Sequence, residues 1–110
     1  VSAPAVPVRV VLFQRTDISG PAAARDYELM VRECHERGYN IIAEMLGDRT
    51  TWAAPYSAVV AQVATTNADA VLVPSTDHLG TGLVAVSAAA MVLAMQPREI
   101  WVRGKLVSWP

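Results

Sequence analysis

The chain has 110 residues, 53% of them hydrophobic and 17% charged, with a formal net charge of -1. That composition excludes intrinsic disorder, and the near-neutral balance leaves no electrostatic footprint for nucleic acid. A single cysteine, Cys34, excludes an internal disulfide and a multi-cysteine metal site, and no apolar run reaches the roughly 18 residues of a membrane span, so a one-domain cytoplasmic protein is expected.

Residues 1–7 carry neither the basic start nor the apolar stretch of a signal peptide. They read as a Pro/Ala leader to a single domain over residues 8–110. Residues 8–14 (VRVVLFQ) are β-branched and apolar, the pattern of a buried strand. A loop follows over residues 16–20, in which Ser19 can cap a helix and Pro21 suits the first turn. Ala23, Tyr27, Met30 and Cys34 then recur at helical spacing on one face, and Gly38 stops the helix. Arg25, Glu28, Arg32, Glu33, Glu36 and Arg37 populate the remainder of its surface. Residues 40–46 form a second strand, and residues 47–55 a polar loop carrying Trp52. Tyr56, Val59, Val60 and Val63 mark a short second helix to about residue 66. Residues 68–74 (ADAVLVP), apolar on both faces, make a central third strand. Residues 75–82 (STDHLGTG) are the loop at its carboxyl end. A third helix over residues 83–95 and a fourth strand over residues 98–102 precede a short tail ending at Trp109 and Pro110.

Strands alternating with helices predict a three-layer α/β sandwich around a mostly parallel sheet of four or five strands. Ligands in such sheets gather outside the carboxyl ends of the strands. Here those ends carry Arg15, Thr16 and Asp17, then Asp48 and Arg49, then Ser75, Thr76, Asp77 and His78. All the polar clusters of interest therefore fall on one rim. The third helix has almost no polar face, and a helix apolar all round needs cover on a second side. A second copy or a partner protein would supply it, with Met91, Met95 and Trp101 as interface candidates. Alternatively, small alanines leave a face that tolerates water.

Three segments carry a resemblance: FQRTD at residues 13–17, RECHERGYNIIAE at residues 32–44, and ADAVLVPSTDHLGTG at residues 68–82. In this order and spacing they resemble the amino-terminal catalytic domain of serine recombinases, the resolvase/invertase family, over about residues 8–101. The resemblance implies a resolvase-like fold and an ancestral reaction in which a serine attacks a DNA phosphodiester while arginines neutralise the phosphate. The family's tyrosine-x-arginine-x-serine motif places its arginine on Arg15 and its nucleophilic serine on Asp17. Its aspartate-arginine-x-x-arginine motif keeps the aspartate as Asp77 but puts His78 and Thr81 where the arginines belong. The arginine-proline at the start of the second helix falls on Ala54 and Pro55. The family's long dimerisation helix and its DNA-binding domain would follow the fourth strand, beyond these residues.

These departures decide the chemistry expected. Phosphoryl transfer from DNA needs an activated nucleophile and fixed positive charge around the non-bridging oxygens. A carboxylate at position 17 repels the phosphate, and one lost oxyanion donor alone is worth ~3 kcal/mol. Thr16 and Ser19 are hydroxyls out of register. The resemblance therefore implies a catalytically silent domain that serves protein interaction or regulation, without a cofactor. DNA binding by this domain alone is not expected. One alternative is a recombinase whose DNA-binding part lies outside the chain. Another is a small-anion or nucleotide-binding domain using Arg15, Ser75, Thr76 and Asp77.

Other readings of the same residues stay open at this point. Asp77 and His78 can form an acid–base pair, or Asp77 braces its loop while His78 is solvated. Asp17, Asp48 and Asp77 can converge on magnesium, or each makes a turn. Arg15 can hold an anion, or pair with one of these aspartates. Cys34 belongs to the buried stripe and His35 to the surface, since adjacent helical residues point apart. Trp52 is a lid, an anchor or cover for the rim.

Overall fold

The computed structural model describes residues 6–107, so most of the expected leader and the terminal Trp109 and Pro110 lie outside the described residues. Strand β1 (Arg9–Arg15) is inaccessible to solvent from Val10 to Phe13 and lies inside the sheet between β2 (Asn40–Gly47) and β3 (Ala70–Val73). Beyond β3 come β4 (Met91–Ala94), β5 (Glu99–Val102) and β6 (Lys105–Val107), giving the order β2-β1-β3-β4-β5-β6. The first four strands pair in parallel, whereas β4–β5 and β5–β6 pair antiparallel.

The α/β class thus holds, but the sheet is mixed and has six strands, not four or five in mostly parallel array. The reason is local. β4 and β5 are joined by too few residues for a crossover, which needs a dozen or more, so the chain can only reverse. β5 and β6 are joined by Arg103 and Gly104, with φ of 51° and 77°. Two consecutive positive φ values are what a tight two-residue hairpin requires. The segment expected to be a tail is therefore the last strand.

The expected third helix is also corrected. Helix α4 (Leu83–Ala89) follows α1 (Thr16–Ser19), α2 (Ala23–Arg37) and α3 (Pro55–Thr66), and it stops seven residues in. Ala90 adopts an extended conformation and the chain continues as β4. A strand buried on both faces reads as a continuous apolar run, just as a buried helix does, so periodicity could not separate the two. Burial inside the sheet explains the apolar run of β4, whereas on α4 the apolar side chains of Val84, Ala85, Ala88 and Ala89 are exposed.

Alternation along the strands divides the core. Val11, Phe13, Val71, Val73, Val92 and Ala94 point toward α3 and α4, meeting Val59, Val63 and Val86. Val10, Leu12, Ala70, Leu72 and Leu93 point the other way, onto Met30 and Cys34 of α2. Cys34 is 1% exposed and its thiol is pushed up to about 11, first by burial and then by the charges of Glu33 and Glu44. Glu33, expected on the polar surface of α2, is instead buried between Arg37 and Arg98, at 3.2 and 2.8 Å. Among the described residues no helix is long and apolar enough to cross a membrane.

Candidate functional site

From β1 the chain moves outward through α2 to β2, then crosses back over β1 through α3 to β3. The winding direction therefore reverses between β1 and β3, and a crevice opens at the carboxyl ends of the strands on either side of such a reversal. The residues leaving β1 do not form the expected loop. They make the single turn α1, then a 3-10 turn over Gly20–Ala22, before α2 begins. Ser19 caps nothing; its hydroxyl accepts from the buried Gln14 amide at 3.0 Å and donates to Asp26 at 2.7 Å. Gln14 also donates to the Ala23 carbonyl at 2.8 Å, which anchors the start of α2 to the end of β1.

After β3, Thr76–His78 form one 3-10 turn and Gly80–Gly82 another. The first turn swings His78 inward. Its imidazole is 2% exposed, in contrast to the solvated side chain expected. The Arg15 backbone N–H donates to His78 Nδ1 at 2.9 Å, so the two strand ends are bonded directly. An Nδ1 that accepts leaves the proton of the neutral ring on Nε2. Burial lowers the His78 pKa, against the opposing pull of the Asp26 and Asp77 carboxylates. No hydrogen bond reaches Nε2 from the described residues, and no buried side-chain nitrogen or oxygen among them is unsatisfied, so this N–H has access to the crevice.

The crevice has a volume of about 300 Å³, and Ser19, Arg25, Asp26, Ser75, Asp77, His78 and Gln96 supply its polar wall. Asp77 and Arg25 are exposed, Ser75 is half-buried, and none of the three side chains is bonded to another described residue. Asp77 thus braces nothing. Thr76 and Thr81 lie in the two 3-10 turns, half-buried and exposed respectively, and neither lines the crevice.

Arg15 and Asp17 do not line this crevice. The Arg15 Nη2 and Nε donate to the Asp17 carboxylate at 2.7 and 3.1 Å. The guanidinium holds that carboxyl below its usual range, and the pairing raises the arginine in turn. The Tyr56 hydroxyl also interacts with the Arg15 guanidinium. The Tyr56 ring lies so close to Gly82 that a β-carbon there would clash with it, which is why a glycine stands at that turn. Trp52 packs on Phe13 with ring centroids 5.4 Å apart, so its role is cover for the core beneath the rim.

At this end of the sheet five of the predicted rim residues fall into two groups, Arg15 with Asp17 and Ser75 with Asp77 and His78, joined through the Arg15 amide. Asp48 belongs to neither: it accepts from the Thr50 N–H and hydroxyl at 2.8 and 2.6 Å, bonds that keep its carboxyl low. Among the described residues no three His, Cys, Asp or Glu side chains could hold a metal ion, so the three aspartates do not converge on one. Of the interface candidates, Met91 and Met95 pack on the α2 side of the sheet and Trp101 on the α3–α4 side, so they do not form one patch. His35 is exposed, as its neighbour's burial required.

Sequence reasoning missed Gln14, Ser19 as a network member, Arg25, Asp26 and Tyr56. Arg25 reads as ordinary helix surface and Asp26 carries no sequence signal; only their place in the first turn of α2, next to the carboxyl end of β1, sets them apart. Comparison with family models, with curated proteins and with solved structures finds no match.

Proposed function

We propose that this chain is a resolvase-like α/β domain without strand-cleaving activity, serving as a regulatory or protein-interaction module. The observation that carries the reading is the Arg15–Asp17 pair, with its 2.7 Å contact. At the position where the resemblance requires an attacking hydroxyl there is a carboxylate, and the retained arginine is engaged by it. A phosphodiester arriving there would meet negative charge and would have to displace Asp17 to reach the guanidinium. Ser19 lies out of register with the motif, and its hydroxyl is tied to Gln14 and Asp26, not to the retained Arg15. Cleavage also needs positive charge free to meet the phosphate, and the Arg15 guanidinium is engaged by Asp17.

The open edge of β6 supports the interaction half of the reading. Leu106 is 54% exposed, and Val102 and Val107 join it at the surface. Among the described residues no strand pairs with the outer edge of β6; an edge strand with apolar side chains is a template for another strand, and a second copy can offer the same edge in antiparallel array. Light scattering is expected to give twice the 11.8 kDa chain mass, and Leu106→Pro to return it to the monomer. A monomer at every concentration would overturn the pairing.

Cleavage is tested separately. Wild-type protein and Asp17→Ser are incubated with supercoiled DNA, with an active recombinase as control. Neither is expected to nick or join DNA, because the serine alone does not restore the arginines. Covalent protein–DNA product from the wild type would refute the assignment.

A further inference from the structure

The crevice between β1 and β3 has no role in the reading above. Its polar wall has a distinctive balance. Two carboxylates, Asp26 and Asp77, stand against one guanidinium, Arg25, and the imidazole between them is neutral and presents only a donor, Nε2–H. Ser75 adds a hydroxyl and Gln96 an amide, each able to donate or accept. Asp26 has one oxygen occupied by Ser19 and the other available.

This set discriminates among ligands. A phosphate would satisfy Arg25 and His78 but meet two carboxylates, and net repulsion follows from the excess of negative charge. A simple amine would pair with the carboxylates but leave the Arg25 guanidinium and the buried His78 Nε2–H without the charged acceptor that suits them. A small molecule carrying one carboxylate and one ammonium group satisfies both halves. The volume agrees: at roughly 30 Å³ per water in the liquid, a crevice of about 300 Å³ suits a molecule of around ten non-hydrogen atoms. We propose that the crevice is a binding site for a zwitterionic small molecule of the free α-amino acid class. In this site Arg25, His78 Nε2–H and Ser75 hold the carboxylate, and Asp26 with Asp77 holds the ammonium.

His78 is built for this task. Its Nδ1 is fixed by the Arg15 amide at 2.9 Å, so the ring cannot turn its acceptor toward the ligand. Arg25 and Asp77 start without partners among the described residues, so binding breaks no existing bond of either. The proposal is independent of whether the domain cleaves DNA or dimerises.

The test is isothermal titration calorimetry of the full chain at pH 7.5 with the L-amino acids singly, then with the deaminated acid and the decarboxylated amine of any that binds, and with inorganic phosphate. At least one amino acid is expected to bind, with tenfold or greater weakening for both truncated analogues. Arg25→Ala and Asp77→Asn change exposed side chains and are expected to fold normally, each with tenfold or greater loss of affinity. His78→Asn keeps an acceptor near Nδ1 for the Arg15 amide while removing the Nε2–H, and is expected to weaken binding with a near-native circular dichroism spectrum. Absence of binding by any amino acid, equal binding of the amine or the acid alone, preferential binding of phosphate, or unchanged affinity in Arg25→Ala would each overturn the proposal.

Discussion

The parallel centre of the sheet and the hairpin of β5 and β6 belong to one sheet but are stabilised by different physics. In β1, β3 and β4 side chains on both faces are buried, Val10 to Phe13 and Ala70 to Val73 at 0% exposure, and burial of apolar surface supplies the stability. In the hairpin most side chains are half-buried or exposed, and polar bonds from α4 hold the turn. The buried Ser87 hydroxyl accepts from the Gly104 N–H at 2.8 Å and its carbonyl accepts from the Arg103 N–H at 2.9 Å. The centre is thus a buried scaffold whose strand ends can carry a site, whereas the hairpin is a more exposed element that touches the core through Ile100 and Trp101. That difference separates the crevice, which needs fixed geometry, from the β6 edge, which needs only exposure.

Mutations can break this contrast in order of severity. Phe13→Ala empties the middle of the α3–α4 side and removes the seat of Trp52. It is expected to cost about 3–5 kcal/mol in urea unfolding, with the whole domain lost together. Ser87→Ala removes the acceptor for the Gly104 amide and is expected to cost about 1–2 kcal/mol. Hydrogen exchange would show faster opening confined to residues 99–107; uniform acceleration would mean that the hairpin and the centre are one cooperative unit.

The rim gives a pH signature. Burial sets the His78 pKa in the folded protein below its ordinary 6.5, with Asp26, Asp77 and Asp17 opposing that shift and Arg15 reinforcing it. The unfolded chain then takes up the proton first as pH falls, so stability from this group is complete above 6.5 and declines between 6.5 and the lower folded value. Urea midpoints measured from pH 7.5 downward should fall more steeply for the wild type than for His78→Asn; parallel curves would contradict the buried neutral imidazole. The smallest effect belongs to the edge. Leu106→Ser is expected to change monomer stability by no more than about 0.5 kcal/mol, and a larger loss would show that β6 contributes to the core.

Much of this arrangement was legible. The alternation of strands and helices, the burial of Cys34 at one helix face, the stop at Gly38 and the collection of Arg15, Asp17, Asp77 and His78 at one end of the sheet all follow from local pattern. Local pattern failed where one pattern serves two structures. The apolar residues 83–95 satisfied a helix and a buried strand equally, and only the docking of β4 beside β3 resolved them. The Arg103–Gly104 turn was readable only once β5 was known to need a neighbour.

Sequence by itself determined the α/β class, the parallel first half and the end of the sheet at which polar residues gather, because periodicity and turn chemistry are properties of neighbouring residues. Tertiary structure alone decided that His78 is buried and bonded to the Arg15 amide across 63 positions. It also decided that Glu33 lies between two arginines, and that Arg25 and Asp26 from the first turn of α2 face Ser75 and Asp77 from the loop after β3. These are contacts between segments far apart in the chain, and they exist only because packing of the sheet brings strand ends and helix starts to the same place.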